Sequence, residues 1–219
     1  MRGHDRDLRL ALGLERLCGV DEAGRGPLAG PVTAAAVILP PDWHLPGLDD
    51  SKKLDASRRA VLETGIQEQA LGWAVAEATV EEIDRLNILR ATFLAMGRAV
   101  EQLAMAPEFL LVDGRDFPFT DRRGRSLVHG DGISACVAAA SILAKQSRDR
   151  FMERESRLWP AYGFERHKGY GTAFHLQALR DAGPCPLHRR SFAPVRELMG
   201  ERGVDGQYGQ NGQDGQGDV

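Results

Sequence analysis

A nine-residue segment, GVDEAGRGP at residues 19–27, constrains the fold and the chemistry of this chain more than any other. An apolar run that is typical of a buried strand ends at the adjacent carboxylates Asp21 and Glu22, and an arginine between two glycines follows. Carboxylates are common ligands of hard divalent cations, glycines let a backbone approach a ligand closely, and arginine binds phosphate through two parallel hydrogen bonds. The segment therefore predicts a metal site beside a phosphate-binding loop, with a charged turn after a strand as the alternative.

The composition predicts one globular domain. The chain has 219 residues, and its 42% apolar and 27% charged residues are ordinary values for a soluble fold. No apolar run reaches the ~20 residues of a membrane span, and the charged start does not resemble a signal peptide. Cys18, Cys136 and Cys185 are far apart and lack the spacing of a zinc site. We therefore expect a cytoplasmic monomer without membrane segments.

The net charge of −3 is distributed unevenly along the chain. Residues 1–140 contain 16 basic and 21 acidic residues, whereas residues 141–199 contain 11 basic and 6 acidic residues. An acidic half can bind cations, and a basic half can bind phosphates. This distribution suits a metal-dependent nuclease and disfavours a small-molecule phosphatase that uses the same ions.

The order of apolar and amphipathic segments predicts an α/β domain, with a mixed sheet flanked by helices and a C-terminal helical extension. The domain covers residues 17–199, its helical extension begins at about residue 158, and residues 1–16 form a lead-in. Residues 200–219 are rich in Gly, Gln and Asp and are predicted to be disordered. Predicted strands cover residues 17–22, 32–39, 72–78, 109–112 and 126–129. Predicted helices cover residues 56–70, 88–105 and 172–182. Two further helices are predicted: one begins at residue 80 after a capping box, and one runs from residue 134 to about residue 157.

Two further acids follow the same pattern as the first pair. Asp113 lies between an apolar run and a glycine, and Asp131 lies between two glycines. Each of them alone is better explained as a turn-forming residue. Together with Asp21 and Glu22, they suggest a site for two metal ions.

Seven sequence blocks, which include Asp21, Glu22 and Asp113, occur in a fixed order from about residue 17 to residue 198. They are GVDEAGRGPLAGPV at 19–32, LDDSKKL at 48–54, VDG at 112–114, AAASILAK at 138–145, RD at 148–149, HKGYGT at 167–172 and RSFAPV at 190–195. The blocks and their order resemble the signature of the ribonuclease HII family. This resemblance implies a ribonuclease H-like fold with a C-terminal helical extension.

The resemblance also implies an activity. The expected enzyme hydrolyses the RNA strand of RNA–DNA hybrids and cuts on the 5′ side of single ribonucleotides in duplex DNA. Two Mn²⁺ or Mg²⁺ ions are implied, held by Asp21, Glu22, Asp113 and Asp131. His129 departs from the family pattern, which usually has a lysine at this position, so the charge beside the site is expected to depend on pH.

The two adjacent acids cannot play equal roles in a regular strand, because neighbouring strand residues point to opposite faces. We expect Asp21 to bridge the two ions. Glu22 would contribute either its backbone carbonyl or a side chain turned by the twist at the strand end.

The resemblance assigns the substrate contacts to two loops. The loop Gly24-Arg25-Gly26 is implied to read the ribose 2′-hydroxyl, the group that distinguishes RNA from DNA. Tyr170 is implied to stack on the neighbouring deoxyribose and thereby sense the RNA-to-DNA junction. Without the family context, Tyr170 is better explained as a half-buried loop residue.

Six polar residues are candidates for phosphate contacts. Three of them share one helix face, although a Lys145–Asp149 ion pair and close packing of Ser141 explain two of these equally well. The candidates are Lys52, Lys53, Ser141, Lys145, Arg148 and Lys168.

Two rival interpretations stay open. The ribonuclease HIII family shares the four acids, but it carries a substrate-binding domain before the core, whereas only about 17 residues precede the first predicted strand here. A non-catalytic nucleic-acid-binding module on the same fold would tolerate loss of the acids, yet all four are present.

Overall fold

The computed structural model describes residues 1–48 and 54–205, and residues 49–53 and 206–219 lie outside the described part. Within it, helices cover both faces of a five-stranded sheet. The strands are β1 (Leu17–Ala23), β2 (Val32–Ile38), β3 (Gly72–Ala78), β4 (Phe109–Asp113) and β5 (Gly124–Leu127). The helices are α1 (Arg2–Leu12), α2 (Ala56–Gln69), α3 (Val80–Leu86), α4 (Ile88–Glu101), α5 (Gly130–Ile133), α6 (Ala135–Leu158), α7 (Phe164–His167), α8 (Ala173–Ala182) and α9 (Ala193–Asp205).

The sheet is mixed, as the sequence predicts, with the strand order β3-β2-β1-β4-β5. Strand β1 is antiparallel to β2 and parallel to β4. In the parallel pair, Val20 lies opposite Val112. Asp21 and Asp113 therefore follow side by side at the same edge of the sheet.

The central strands are buried on both faces of the sheet. In β2, Ala35 packs in the apolar cluster that contains α6, whereas Ala36 packs in the cluster that contains α4. Gly19 lets α6 lie directly on β1, because a Cβ atom at this position would stand 2.1 Å from the carbonyl carbon of Cys136. This contact fixes the distance between α6 and the strand that carries Asp21.

The C-terminal helices form a third apolar cluster with the end of α6. Phe164, Leu179 and Val195 are buried in it, together with Met152 of α6. Leu28, which belongs to the loop after β1, is buried in the same cluster. The predicted helical extension is therefore confirmed, and it packs against the loop that leaves β1.

Two predicted elements extend two or more residues too far. Strand β5 ends at Leu127 and not at residue 129, because His129 has a left-handed φ of 57° and immediately precedes α5. Helix α4 ends at Glu101 and not at residue 105, because Leu103 and Met105 pack against the core from the following loop.

Helical structure extends beyond the predicted bounds at both ends of the described residues. Helix α1 lies in the lead-in, and its buried Asp5 accepts a hydrogen bond of 3.1 Å from the N–H of Cys136 in α6. Helix α9 continues to Asp205, beyond the start of the predicted tail. Within residues 1–48 and 54–205, no helix has the length and apolar character needed to cross a membrane.

Candidate active site

A cavity of about 390 Å³ opens where β1 ends. The end of β4, the middle of α6 and the loop after β1 also border it. The lining residues are Asp21, Glu22, Ala23, Gly24, Arg25, Gly26, Arg59, Asp113, Ser141, Lys145, Arg148 and Tyr170. The fold thus brings most of the predicted site residues to one cleft.

Asp21 and Asp113 stand at the ends of neighbouring parallel strands. Asp21 is only 4% exposed, and Ser141 of α6 is hydrogen-bonded to its carboxylate. Asp113 accepts a hydrogen bond of 2.7 Å at Oδ1 from the N–H of Gly130 at the start of α5. Both carboxylates are therefore held by groups that come from later parts of the chain.

Negative charge accumulates at these strand ends. Burial raises the pKa of Asp21 well above its usual value, and the charges of Glu22 and Asp113 raise it further. Hydrogen bonds from Ser141 and from the Glu22 N–H oppose this rise. We call Asp21, Glu22 and Asp113 the acidic wall, and a divalent cation is the partner that would relieve its repulsion.

Glu22 borders the cleft although it directly follows Asp21 in β1. Its Oε1 accepts a hydrogen bond of 3.2 Å from Arg25, and its own N–H donates to Asp21 Oδ1 at 2.7 Å. Strand β1 ends one residue later, at Ala23, so the regular alternation of faces no longer has to hold. Of the two contributions expected for Glu22, this position favours the side chain.

Asp131 lies beside the acidic wall. It follows Gly130 in α5 and is 4% exposed, but it is not among the residues that line the cleft. Among the described residues, no group of three His, Cys, Asp or Glu side chains could hold a metal ion as it stands. The donor chemistry of the wall fits divalent cations, but side chains must move before the coordination of an ion is complete.

Residues 24–31 connect β1 to β2 and form what we call the glycine-rich loop. Gly24 has a φ of +96°, and a Cβ atom there would stand 2.0 Å from Arg148 Nε, so this position requires glycine. Arg148 and Arg189 lie beneath the loop and are 1% and 0% exposed. Both donate hydrogen bonds to carbonyl oxygens of the loop.

Tyr170 presents its ring to the cleft while its backbone is fixed. The residue is 49% exposed, and its Cε1 lies 3.5 Å from the position that a Cβ atom of Gly26 would take. Its N–H donates to the His167 carbonyl at 2.9 Å, and its own carbonyl oxygen lies 2.9 Å from His175 Nδ1. The ring is thus available for stacking beside the glycine-rich loop.

A chain of hydrogen bonds runs from the C-terminal segment to Tyr170. The N–H of Cys185 donates to His188 Nδ1 at 3.0 Å, so the proton of this ring is on Nε2. That nitrogen lies 3.0 Å from His175 Nε2, and His175 Nδ1 donates in turn to the Tyr170 carbonyl. Burial and the charge of His175 lower the pKa of His188 to about 4, so both rings are neutral at pH 7.

Within the described residues, only some of the candidates for phosphate contacts border the cleft. Lys145 borders the cleft but forms the ion pair with Asp149, at 2.7 Å. Ser141 is hydrogen-bonded to Asp21. Lys52 and Lys53 lie outside the described residues.

Two of these candidates have their charged groups engaged elsewhere. Lys168 is not among the cleft-lining residues, and its Nζ pairs with Glu153 at 2.9 Å and donates to the Glu165 carbonyl at 2.6 Å. Arg148 is buried, and its guanidinium binds backbone carbonyls. Three of its five N–H donors are engaged in this way, and the phosphate contact expected for Arg148 stays a prediction.

The comparison with known families decides what kind of cleft this is. The family model described as Ribonuclease HII matches residues 18–195. The chain belongs to the ribonuclease HII family. A ribonuclease HII of Desulfitobacterium hafniense (strain Y51) is 56% identical over 187 residues, which are 85% of this chain and 72% of that relative.

Solved structures confirm the ribonuclease H-like fold. The crystal structure of ribonuclease H2 from Pyrococcus horikoshii OT3 matches with a TM-score of 0.71 at 24% identity, over 85% of this chain and 98% of that chain. The crystal structure of Bst-RNase HIII in complex with Mn²⁺ matches with a TM-score of 0.64 at 21% identity, over 85% of this chain and 70% of that chain.

Membership of the ribonuclease HII family makes the chain an enzyme, a ribonuclease H that acts as an endonuclease. Family membership also excludes the two alternative interpretations that the sequence left open, a ribonuclease HIII and a non-catalytic binding module. The ribonuclease HIII structure shares the fold, but the matching family model is that of ribonuclease HII. A non-catalytic module does not fit relatives that are ribonucleases at this level of identity.

Two arginines, one at the cleft and one beneath its glycine-rich loop, were not predicted from the sequence. Arg59 borders the cleft from the first turns of α2 and donates to the Gln146 side chain at 3.4 Å. Its position shortly after the LDDSKKL block was the only available signal. Arg189 adjoins the RSFAPV block, but no pattern in the sequence shows that an arginine is buried.

Proposed function

We propose that this enzyme cleaves duplex DNA on the 5′ side of single embedded ribonucleotides, as well as the RNA strand of longer hybrids, with two bound divalent cations. The products would carry 5′-phosphate and 3′-hydroxyl ends. The main support is that the acidic wall and the glycine-rich loop border the same cavity. The proposed hydrolytic centre would thus lie beside a backbone segment that can approach a ribose.

The acidic wall would hold the cations. Asp21, the most buried member, would be shared between them, with Glu22 and Asp113 on either side and Asp131 joining after a side-chain movement. When bound, the cations would supply an activated water molecule and would stabilise charge on the phosphate and on the leaving 3′ oxygen. An RNase HIII of the same fold has been crystallised with Mn²⁺, which supports Mn²⁺ as well as Mg²⁺.

Residues of the chain itself would orient the substrate. Ser141 holds the Asp21 carboxylate from α6, and the Gly130 N–H holds Asp113. The backbone of residues 24–26 would contact the 2′-hydroxyl, while the exposed ring of Tyr170 would stack on the next sugar. Arg25, whose guanidinium pairs with Glu22 in this structure, would be able to turn to a phosphate when cations take over the carboxylate.

The proposed partners are RNA–DNA hybrids and ribonucleotide-containing DNA, handled by a cytoplasmic monomer. Removal of ribonucleotides left in replicated DNA would be a corresponding cellular task. The positive balance of residues 141–199 supports a polyanionic partner.

A cleavage assay on matched duplexes tests the proposal. The substrates are a DNA duplex with one ribonucleotide, a long hybrid and an all-DNA duplex, each with Mn²⁺, with Mg²⁺ and with chelator. We expect cleavage of the first two only, dependent on added cation, with the ends mapped as above. Cation-independent cleavage, or Asp21→Asn with wild-type activity, would refute the two-metal proposal. Cleavage of the hybrid alone would refute the single-ribonucleotide part.

A further inference from the structure

Every N–H group of the Arg189 guanidinium donates a hydrogen bond to a carbonyl oxygen of the glycine-rich loop. A guanidinium has five N–H donors, and all five of those of Arg189 meet a backbone carbonyl. Nε donates to Gly30 at 2.9 Å, Nη1 to Arg25 at 3.0 Å and to Pro27 at 2.7 Å, and Nη2 to Gly24 at 2.6 Å and to Pro31 at 3.1 Å.

This arrangement determines which way the loop peptides point. In a trans peptide, the C=O of one residue and the N–H of the next point in opposite directions. Because the carbonyls of Gly24 and Arg25 turn inward to Arg189, the N–H groups of Arg25 and Gly26 turn away from it. Neither of these N–H groups donates to another described residue, and both residues line the cleft. Arg189 thus makes this part of the loop a donor surface.

Arg148 connects the loop to the strand end and to the Tyr170 segment. Its Nε and Nη2 donate to the carbonyls of Pro31 and Ala29, each at 3.1 Å, and Nη1 donates to the Lys168 carbonyl at 3.0 Å. Within the described residues, neither Arg148 nor Arg189 forms a salt bridge, so carbonyl dipoles hold both charges. Burial lowers the pKa of Arg189 to about 9, with Arg148 as a second cause, and the group therefore stays charged at pH 7.

We propose that Arg189 is a positioning residue for ribonucleotide recognition, which fixes the peptide orientations of the glycine-rich loop so that the N–H groups of Arg25 and Gly26 meet the ribose. This inference rests on the proposed function for its substrate and on the hydrogen-bond geometry for its mechanism. Arg189 itself is fully buried and does not touch the substrate. No other side chain provides five donors in one plane, so lysine, with three, replaces it only in part.

The variants are Arg189→Lys and Arg189→Met, with Arg9→Lys and Arg9→Met as matched controls. Arg9 is also buried and donates to the backbone carbonyls of Glu15 and Leu39, but it does not line the cleft. Hydrogen exchange is measured for the amides of Leu28 and Gly30, which donate to the carbonyls of Gly169 and Leu187. Cleavage of the single-ribonucleotide duplex is measured at a temperature at which every variant is folded.

We expect Arg189→Met to lower kcat by about 100-fold, as for a misplacement of about 1 Å, with KM within about threefold. The kcat of Arg189→Lys should lie between those of wild type and Arg189→Met. If the methionine variant does not fold, the lysine variant alone decides whether Arg189 positions the loop. In the Arg189 variants, hydrogen exchange of the loop amides should accelerate, while exchange of the sheet amides should stay as in wild type. The Arg9 variants should change neither kcat nor the exchange of the loop amides.

Two results would overturn the inference. One is Arg189→Lys with wild-type loop exchange and wild-type cleavage. The other is exchange that accelerates equally in the sheet and in the glycine-rich loop of the Arg189 variants, which would mean that Arg189 serves only stability. If wild-type protein fails to cleave the single-ribonucleotide duplex, the proposed function fails, while the exchange measurement still decides whether Arg189 orders the loop.

Discussion

The acidic wall and the glycine-rich loop border one cleft but differ in how well their polar groups are satisfied. In the wall, three carboxylates lie together and the charge at Asp21 is disfavoured by burial and by its neighbours. In the loop, the carbonyls of five residues receive hydrogen bonds from one guanidinium. The wall is thus electrostatically strained, whereas the loop is closely matched to the side chain beneath it.

This difference indicates how each region contributes to catalysis. Repulsion within the wall makes cation binding favourable, so the wall is completed by something from outside the chain. The loop must keep one conformation before the substrate arrives, and internal hydrogen bonds supply that order. Substitutions should therefore separate the two regions: removal of a wall carboxylate should harm activity alone, and changes that disturb the conformation of the loop should harm activity and stability together.

The largest effect is expected for Asp21→Asn. Loss of the shared carboxylate should lower kcat by ~10³-fold or more, since cation catalysis supplies several kcal/mol. Without divalent cations, Tm should rise, because the substitution removes a buried charge that Glu22 and Asp113 disfavour. Thermal unfolding in chelator checks this, with Asp149→Asn, outside the wall, as the control. A lower Tm for Asp21→Asn would contradict the strained wall.

The next effect separates two glycines of the loop. Gly24→Ala should lower stability by at least ~2 kcal/mol and cleavage by about 100-fold, because the position has a φ of +96° and its Cβ would meet Arg148 Nε. Gly26→Ala should change stability by no more than about 0.5 kcal/mol, because its Cβ would contact Tyr170 at an ordinary 3.5 Å. It should still reduce cleavage, since the added methyl group blocks the ribose. Urea unfolding and steady-state kinetics distinguish the two variants.

Tyr170→Ala should have a smaller and selective effect. Removal of a stacking ring worth ~1.4 kcal/mol should reduce cleavage at single ribonucleotides by about tenfold. Long hybrids should lose less, because they offer many sites without a nearby junction. Tyr170→Phe keeps the ring and should stay close to wild type on both substrates. Equal losses for Tyr170→Ala on both substrates would argue against a junction role.

The smallest effect on cleavage at neutral pH is expected for the histidine pair behind the glycine-rich loop, where the observable is the pH dependence of stability. The folded-state pKa of His188 is about 4, below its ordinary 6.5, so the unfolded chain binds more protons between these values. Stability should be complete above pH 6.5 and should fall as the pH drops toward 4, because a second proton disrupts the His188–His175 contact. His188→Asn should have a shallower slope of Tm against pH in this window. An unchanged slope would show that other groups carry the dependence.

The sequence predicted the position of the acidic wall better than the hydrogen bonds that hold the glycine-rich loop, for a physical reason. Asp21 and Asp113 each end an apolar run, and parallel strands bring such ends together without any further information. The side-chain position of Glu22 depends on where β1 ends, which the sequence left between two alternatives. The strand at residues 126–129 was misplaced because the exposed Val128 continues an apolar pattern that the backbone does not follow.

The hydrogen bonds of Arg148 and Arg189 to the glycine-rich loop could not be predicted from the sequence. Spacing on α6 correctly placed Ser141, Lys145 and Arg148 toward the cleft, but it could not show which partners reach them. Arg148 was a candidate for a phosphate contact because it shares a helix face with Ser141 and Lys145. In the structure it is buried, and backbone carbonyls accept hydrogen bonds from its guanidinium. Which carbonyls face a buried guanidinium depends on loop dihedral angles that residue types alone do not specify.

The partners of Arg189 lie 158 to 165 positions earlier in the chain. During synthesis, strands β1 and β4 emerge well before Arg189, and at about 5–20 residues per second the interval after Asp113 is about 4–15 s. A growing chain therefore carries Asp21 and Asp113 before it carries Arg189, whose guanidinium binds the loop carbonyls. With the role that we propose for Arg189, selectivity is acquired later in synthesis than the acidic wall.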